Sequence, residues 1–183
     1  DGTATSATNF FLPAVITSFT PSNSAPGTLV TIKGTNFTDA NAVAFGGTPA
    51  AGFNVTNNTS LGAVVPAGVI SGPISVTTPA GTANSVANFY GAPVINSFNP
   101  THGLPGTNVV ISGQNFLGAS AVRFNGSNAT PVSIVNNSTI NAPVPANAQS
   151  GPITVIAPAG TATSAQSFTL DYTANLSLSV TDA

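Results

Sequence analysis

The chain has 183 residues, of which 42% are hydrophobic and only 3% are charged, and its formal net charge is −2. The hydrophobic fraction is high enough to bury a core, so the chain is expected to fold. The two cations, Lys33 and Arg123, cannot neutralise a row of phosphates, which excludes nucleic acid and anionic lipid headgroups as partners. The chain has no Cys and no apolar run of about 18 residues, which excludes disulfides, thiolate metal sites and insertion into a membrane.

The sequence contains an internal duplication. Residues 13–91 align with residues 92–170 at a constant offset of 79, without a gap, and 37 of the 79 aligned pairs are identical. Residues 1–12 match the end of each repeat at the same offset, which predicts that they are the last strand of a preceding repeat. We therefore expect two whole repeats and part of a third.

The last segment, residues 171–183, does not match the start of the repeat. Leu176, Leu178 and Val180 alternate with polar residues there. This alternation is typical of a strand. The segment is predicted to begin a following domain or to form a C-terminal tail strand.

Each repeat consists of short β-branched and aromatic runs separated by Pro, Gly and Asn, which is the pattern of an all-β sandwich. No stretch has the apolar spacing of a helix. The strands predicted for the first repeat are residues 15–19, 28–33, 42–45, 53–55, 60–65, 74–78 and 82–89.

The predicted strands are separated by recognisable turn residues. Gly34 follows an alternating strand, where a turn or bulge is expected. Gly46-Gly47 is a two-residue hairpin signal, and its counterpart in the second repeat is Asn125-Gly126. Asn57-Asn58 predicts a further polar turn. Between the repeats the connection is short and contains Pro93, which favours a fixed, extended arrangement.

The order of these motifs resembles one known family. Each repeat has Pro-Gly-Thr before an alternating strand, then Gly-x-Asn-Phe, Val-x-Phe-x-Gly, Val-Pro-Ala and Gly-Pro-Ile-x-Val. This sequence of motifs is similar to the IPT/TIG family of immunoglobulin-like domains. The resemblance implies two tandem immunoglobulin-like β-sandwich domains of the E-set type, at residues 13–91 and 92–170. Members of the family serve as bacterial surface stalks, as accessory modules of polysaccharide-processing enzymes, in animal receptors and in transcription factors.

The ionisable residues are too few and too scattered to form an active site. The four acids are Asp1, Asp39, Asp171 and Asp182, and the one histidine is His102. Paired carboxylates need two acids around one substrate, and a Ser-His-Asp site needs a histidine held in place. His102 is expected to be a solvated loop residue. Asp39 with Asn41 is expected to stabilise a turn rather than bind calcium. We predict no catalytic residue, no metal and no cofactor.

Aromatic residues are the remaining candidates for binding. Most of the eleven Phe residues lie in predicted strands and are expected to be core. Phe10, Phe11 and Phe53 are the ones expected to be exposed or to contact another domain. Tyr90 and Tyr172 follow the last strand of each repeat and are expected at inter-domain or inter-subunit contacts.

Glycosylation sequons occur throughout the Asn-rich turns, and O-linked sugar on Thr is an equal alternative. The Asn-x-Ser/Thr sites are Asn36, Asn54, Asn57, Asn58, Asn125, Asn128, Asn136, Asn137 and Asn175.

Two functions follow from the sequence as hypotheses. The first is a non-enzymatic extracellular structural module, a segment of a repetitive cell-surface stalk, adhesin or self-assembling filament, whose partners are neighbouring repeats or other copies of itself. The alternative is a carbohydrate-binding accessory module of a secreted polysaccharide-processing protein. Composition and family resemblance both favour a secreted or cell-surface location.

Overall fold

A computed structural model of the protein describes residues 10–172. Every regular element in this range is a β-strand, as the sequence predicts. No helix long and apolar enough to cross a bilayer occurs there. The chain divides into two compact units, the first ending at Ala92 and the second beginning at Pro93, and each has its own hydrophobic core.

The first unit is a sandwich of two four-stranded sheets. One sheet has the order β1-β2-β6-β5 and the other the order β4-β3-β7-β8, and all pairs between these strands are antiparallel. Its strands are β1 (Val15–Thr20), β2 (Leu29–Thr35), β3 (Ala42–Phe45), β4 (Thr48–Pro49), β5 (Gly52–Asn57), β6 (Ser60–Val64), β7 (Gly72–Thr78) and β8 (Gly81–Phe89).

The second unit repeats this architecture. Its sheets have the orders β14-β15-β11-β9 and β10-β17-β16-β12-β13. Its strands are β9 (Val94–Asn99), β10 (His102–Gly103), β11 (Asn108–Gln114), β12 (Ala121–Phe124), β13 (Ser127–Asn128), β14 (Ser133–Asn136), β15 (Thr139–Pro143), β16 (Gly151–Ala157) and β17 (Gly160–Leu170).

Alternating side chains of the central strands form each core. In β2 and β11 every second residue is buried, so that Val30 and Ile32, and likewise Val109 and Ile111, face the opposite sheet. This is the period of two expected for a sheet with one face in a core. Burying a side chain of this size contributes about 1.5–3 kcal/mol, so the alternation specifies the register of each strand.

Near the start of each unit the chain crosses from one sheet of the sandwich to the other. In the first unit β1 pairs with β2, and Asn23 then forms a parallel bridge to Tyr90 at the end of the opposite sheet. In the second unit β9 pairs with β11, and β10 then pairs in parallel with β17. The crossing segment contains a cis proline in both units, Pro21 and Pro100. In the first unit this crossing lies on the side where β1 and β8 are edge strands, and in the second unit on the side of β9 and β10.

Gly34 lies inside β2 rather than in a turn, which corrects the position expected for the irregularity. The bulge is in the partner strand, between Ile16 and Ser18 of β1. A Cβ at position 34 would collide with the carbonyl oxygen of Val15 and lie 2.5 Å from Cζ of Phe37. Glycine is required there because β1 and the ring of Phe37 close on the backbone.

The predicted hairpin turns are present. Gly46 and Gly47 have φ values of 54° and 86°, and Asn125 and Gly126 have values of 44° and 90°. Positive φ at both central residues is the type I′ geometry that matches the twist of a hairpin.

A buried serine closes the bulge of each last strand. The Ser85 hydroxyl accepts a hydrogen bond from the Ile74 amide at 2.8 Å and donates one to the Ala87 carbonyl at 2.7 Å. Ser164 makes the same pair of bonds in the second unit, to Ile153 and Gln166, at 2.9 and 2.6 Å. The hydroxyl thus replaces the ladder bond that the bulge removes.

Substituting Ser164→Ala is expected to destabilise the second unit by about 1–3 kcal/mol, since the amide of Ile153 is then buried without an acceptor. Calorimetric unfolding of the whole chain would show one transition shifted and the other unchanged. Ser75→Ala, on the outer face of β7, is the control with an expected change within about 0.5 kcal/mol. Equal shifts for both variants would contradict the role assigned to the buried hydroxyl.

Candidate functional site

Ionisable groups are sparse in the part of the chain that the structure describes. No three His, Cys, Asp or Glu side chains come together there as a possible metal site. Lys33 donates from Nζ to the Ser60 hydroxyl at 3.0 Å, and Arg123 donates from Nε to Oδ1 of Asn128 at 2.8 Å. These two cations therefore have neutral partners. Asp39 lies exposed in the loop between β2 and β3.

His102 is paired rather than alone, which corrects the expectation of a plain loop residue. It lies in the short strand β10, and its Nδ1 is 2.8 Å from Oδ2 of Asp171. The two side chains are 67% and 42% exposed, so the solvated character that was expected is present. The pair links the end of β17 to β10. The equivalent of His102 in the first unit is Asn23, which makes the bridge to Tyr90 without an ion pair.

We expect His102→Asn to change the free energy of unfolding by less than about 1 kcal/mol, because the contact between His102 and Asp171 is exposed to water. The shift of the urea midpoint of the second unit measures this effect. A much larger loss would show that the pair, rather than the backbone pairing of β10 with β17, holds the crossing segment in place.

One groove of the first unit combines aromatic and polar side chains. We name it the aromatic groove; it has a volume of about 480 Å³. Its lining residues are Phe10, Phe11, Leu12, Asn36, Thr38, Asp39, Asn58 and Thr78. The Asn36 amide donates to the carbonyl of Pro13 at 2.9 Å, and Thr38 donates to Oδ1 of Asn58 at 3.0 Å.

The aromatic residues predicted at contacts fall into three groups. Phe10 and Tyr172 are largely exposed, at 88% and 79%. Phe11 is at the border of exposure, and Tyr90 is half-buried. Phe53 is partly buried and packs against the core of its own unit, so it is not exposed in the way that was expected, and its contact with another domain stays a prediction. The role of the other four in inter-domain contacts stays a prediction.

Several sequon asparagines have structural roles. Asn36 has a φ of 61°, and Oδ1 of Asn57 accepts hydrogen bonds from the amide and hydroxyl of Thr59, as Asn136 does from Ser138. Asn125 donates to the carbonyl of Ser150.

The other sequons are spread over strands and loops. Three of these asparagines accept hydrogen bonds: Asn128 from Arg123, Asn137 from the amide of Leu117, and Asn58 from Thr38. Asn54 is exposed on the edge strand β5. Asn175 lies outside the described residues. Their glycosylation stays a prediction.

A second groove lies in the second unit, at the open side between β13 and β14, and sequence reasoning missed it. We name it the edge groove. It has a volume of about 300 Å³ and is lined without any charged group. Its lining residues are Ala119, Ser120, Ala121, Asn128, Ala129, Thr130, Val132 and Ile134. In the first unit the equivalent of Val132 is Phe53, whose larger side chain packs on the core. The replacement of Phe53 by Val132 at the equivalent position is the sequence feature that could have pointed to this groove.

Solved structures provide several similar chains. SGBP-B from a complex xyloglucan utilization locus in Bacteroides uniformis is 20% identical, with a TM-score of 0.44, over 86% of this chain and 50% of that one. The surface glycan-binding protein PbSGBP-B from Prevotella bryantii is 15% identical, with a TM-score of 0.43, over 80% and 38%. The plexin A4 extracellular region is 20% identical, with a TM-score of 0.43, over 87% and 18%.

The chain spans half or less of the length of these three structures. A likeness at these values does not extend to what those proteins bind. No curated protein matches the chain.

The family model of the IPT/TIG domain matches the chain twice, at residues 14–90 and 93–172. Both matches fall on complete sandwiches, and together they account for most of the sequence. The resemblance seen in the motifs is thereby confirmed, as is the all-β fold. The chain belongs to the IPT/TIG domain family and carries two tandem copies of its immunoglobulin-like β-sandwich.

Proposed function

We propose that this chain is a non-enzymatic extracellular structural module, a segment of a repetitive cell-surface stalk, adhesin or self-assembling filament. The observation that carries the proposal is the tandem repetition of one complete sandwich. β8 ends at Phe89 and β9 begins at Val94, so the two repeats follow each other with a short connection. Repeats in such an array contact their neighbours and extend in one direction.

The charge distribution supports a role in assembly. Exposed edge strands usually carry Lys or other charges that prevent pairing with another sheet. The edge strands β1, β5, β8 and β14 contain no charged residue. Their exposed residues are Thr, Ser and Asn together with apolar residues that include Val15, Val86, Ile134 and Val135. Such edges can pair with the edge of another copy without burying a charge. This property is expected of a protein whose partners are copies of itself.

The arrangement of polar groups supports a non-enzymatic role. In residues 10–172 the one His–Asp pair is solvated, and neither cation is held by a carboxylate. A general acid or base is usually tuned by burial or by a neighbouring charge. In the described range His102 and Asp171 are neighbours but exposed, and Lys33 and Arg123 bond to neutral side chains.

Electron microscopy of native material labelled with an antibody against this chain tests the proposal. Label that recurs along stalks or fibres at the cell surface is the expected result. Label confined to the cell interior, or on soluble particles that carry no repetitive array, would overturn it.

A second candidate is a carbohydrate-binding accessory module, which the aromatic groove favours. The rings of Phe10 and Phe11 lie beside the amides of Asn36 and Asn58 and the carboxylate of Asp39, and the volume suits a small ligand. Apolar ring faces can stack on a sugar ring, while amides and carboxylates bind its hydroxyls.

Retention of the chain on insoluble polysaccharides, together with a glycan array, tests this candidate. Retention that is lost in Phe11→Ala and Asp39→Ala, and kept in Thr56→Ala on β5, would support it. Lack of retention on every glycan, or equal retention of all variants, would exclude it.

A further inference from the structure

The edge groove has the features of a site for an added β-strand. β14 is the last strand of its sheet, so the outer backbone groups of Ser133–Asn136 have no neighbouring strand within the described chain. All four residues are exposed, and Ile134 and Val135 are 37% and 55% exposed. No other edge strand among the described residues exposes two large apolar side chains. A strand added here would gain backbone hydrogen bonds along β14.

Side chains of an added strand would meet an apolar surface. Val132, just before β14, and Ile134, within it, line the groove together with Ala119, Ala121 and Ala129. Every second side chain of a neighbouring strand lies on the same face of a sheet. A fitting strand therefore has apolar residues at alternate positions and has no charge along the stretch that faces the groove.

A single cation lies next to this groove. Arg123, on β12, is held by Asn128, which is itself a lining residue. Asp171 is the one acid that the structure describes in the second unit, and it pairs with His102. Arg123 thus has its guanidinium beside the groove without a carboxylate partner in that unit. A fitting strand ends in an acidic residue.

We propose that the edge groove receives the segment from Ala174 to Asp182 of another copy of this chain. In that segment Leu176, Leu178 and Val180 alternate with polar residues, and the first charge is Asp182. In the proposed alignment Leu178 lies beside Ile134, and Asp182, about 13 Å further along an extended strand, pairs with Arg123. The inference rests on the proposed structural function and names the contact through which copies join.

The geometry of the sheets prevents the edge groove from binding the segment of its own chain. β17 ends at Leu170, and β16 and β12 lie between β17 and β13. Three strand spacings amount to about 14 Å, and β14 belongs to the opposite sheet, about 10 Å away. Together the two separations amount to about 17 Å, whereas the four residues from Leu170 to Ala174 span at most about 14 Å. A groove that binds the tail of the next copy is a heterologous contact, which produces linear assemblies when it does not close into a ring.

Sedimentation velocity of the 183-residue chain at increasing concentration is the first test. The intact chain is expected to associate, and a variant that lacks residues 173–183 is expected to stay monomeric. Association that persists in the shortened variant would overturn the proposal, because the contact would then not use the tail.

Binding of a fluorescent peptide with the sequence of residues 173–183 to the shortened variant is the second test. Ile134→Lys is expected to weaken binding at least about tenfold, since it places a charge in the apolar groove. Thr56→Lys, the substitution on the equivalent edge strand β5 of the first unit, is the matched control and is expected to leave binding unchanged. Equal binding by both variants would overturn the site.

A charge exchange gives a third readout that does not depend on the apolar groove. Arg123→Asp is expected to weaken binding several-fold, and a peptide with Asp182→Arg to restore it. Failure of the exchanged pair to recover affinity would exclude the ion pair and with it the proposed alignment. Circular dichroism melting confirms that each variant is folded. If the peptide binds but microscopy finds no surface arrays, this contact is supported and the proposed function is refuted. If microscopy finds surface arrays but the peptide does not bind, the proposed function is supported and this contact is refuted.

Discussion

Replacing Gly34 with Ala is expected to destabilise the first unit by about 3 kcal/mol, because the new methyl group has no space. It would collide with the carbonyl oxygen of Val15 and press on the ring of Phe37, which is fully buried. Neither neighbour can move easily, since Val15 belongs to the paired strand β1 and Phe37 is enclosed by the core. For a domain of this size the loss corresponds to a decrease in melting temperature of about 12–24 °C.

Calorimetry of the whole chain measures this prediction with an internal reference, because the second unit keeps its own core and its own transition. Gly52→Ala on β5 is the control: nothing lies within 4 Å of its Cβ position, and its φ is not in the left-handed region. It is expected to be neutral or to stabilise by up to about 1 kcal/mol through the unfolded state. Gly113→Ala should reproduce the loss in the second unit, where Val94 and Phe116 are the neighbours. Gly34→Ala with wild-type melting would contradict the close approach of β1 to β2.

The strands could be predicted because their side chains alternate between core and solvent. Val30 and Ile32 point inward while Thr31 does not, and this pattern is visible in the sequence. Repetition made the prediction stronger, since the same pattern recurs 79 residues later. The hairpin turns could be predicted for a similar reason, because Gly46-Gly47 and Asn125-Gly126 are the residues that tolerate positive φ at both positions.

Tertiary contacts account for what the sequence alone could not predict. The two-residue strands β4, β10 and β13 have too few residues to show a period. The role of Gly34 depends on the approach of Val15, a neighbour in space. The pairing of His102 with Asp171 joins residues 69 positions apart, which the sequence does not relate to each other. The edge groove is formed by residues from β12, β13 and β14 that meet only in the folded unit, among them Val132, where the first repeat has Phe53.

Substituting Phe168→Ala is expected to destabilise the second unit by about 3–5 kcal/mol. Phe168 is fully buried, and its ring packs edge-on against Phe124, with a centroid distance of 5.2 Å and an interplanar angle of 83°. Phe89 packs in the same way on Phe45 in the first unit, at 4.9 Å and 68°. Phe89→Ala should therefore remove the same stability from the other unit. Because a domain is stable by about 5–15 kcal/mol, either variant should populate unfolded chain well below the normal melting temperature.

Phe10 is the sequence equivalent of Phe89 and Phe168, because the three residues are spaced by the repeat length of 79. It therefore provides a control for this prediction. Its side chain is 88% exposed, so Phe10→Ala is expected to change stability by less than about 0.5 kcal/mol in this chain. Calorimetry combined with limited proteolysis assigns each loss to its unit. A loss for Phe10→Ala as large as that for Phe89→Ala would show that the ring is already buried in the first unit. If Phe10 closes the sandwich of another repeat, the same substitution should cost about 3–5 kcal/mol once that repeat is present, since the ring then packs as Phe89 and Phe168 do.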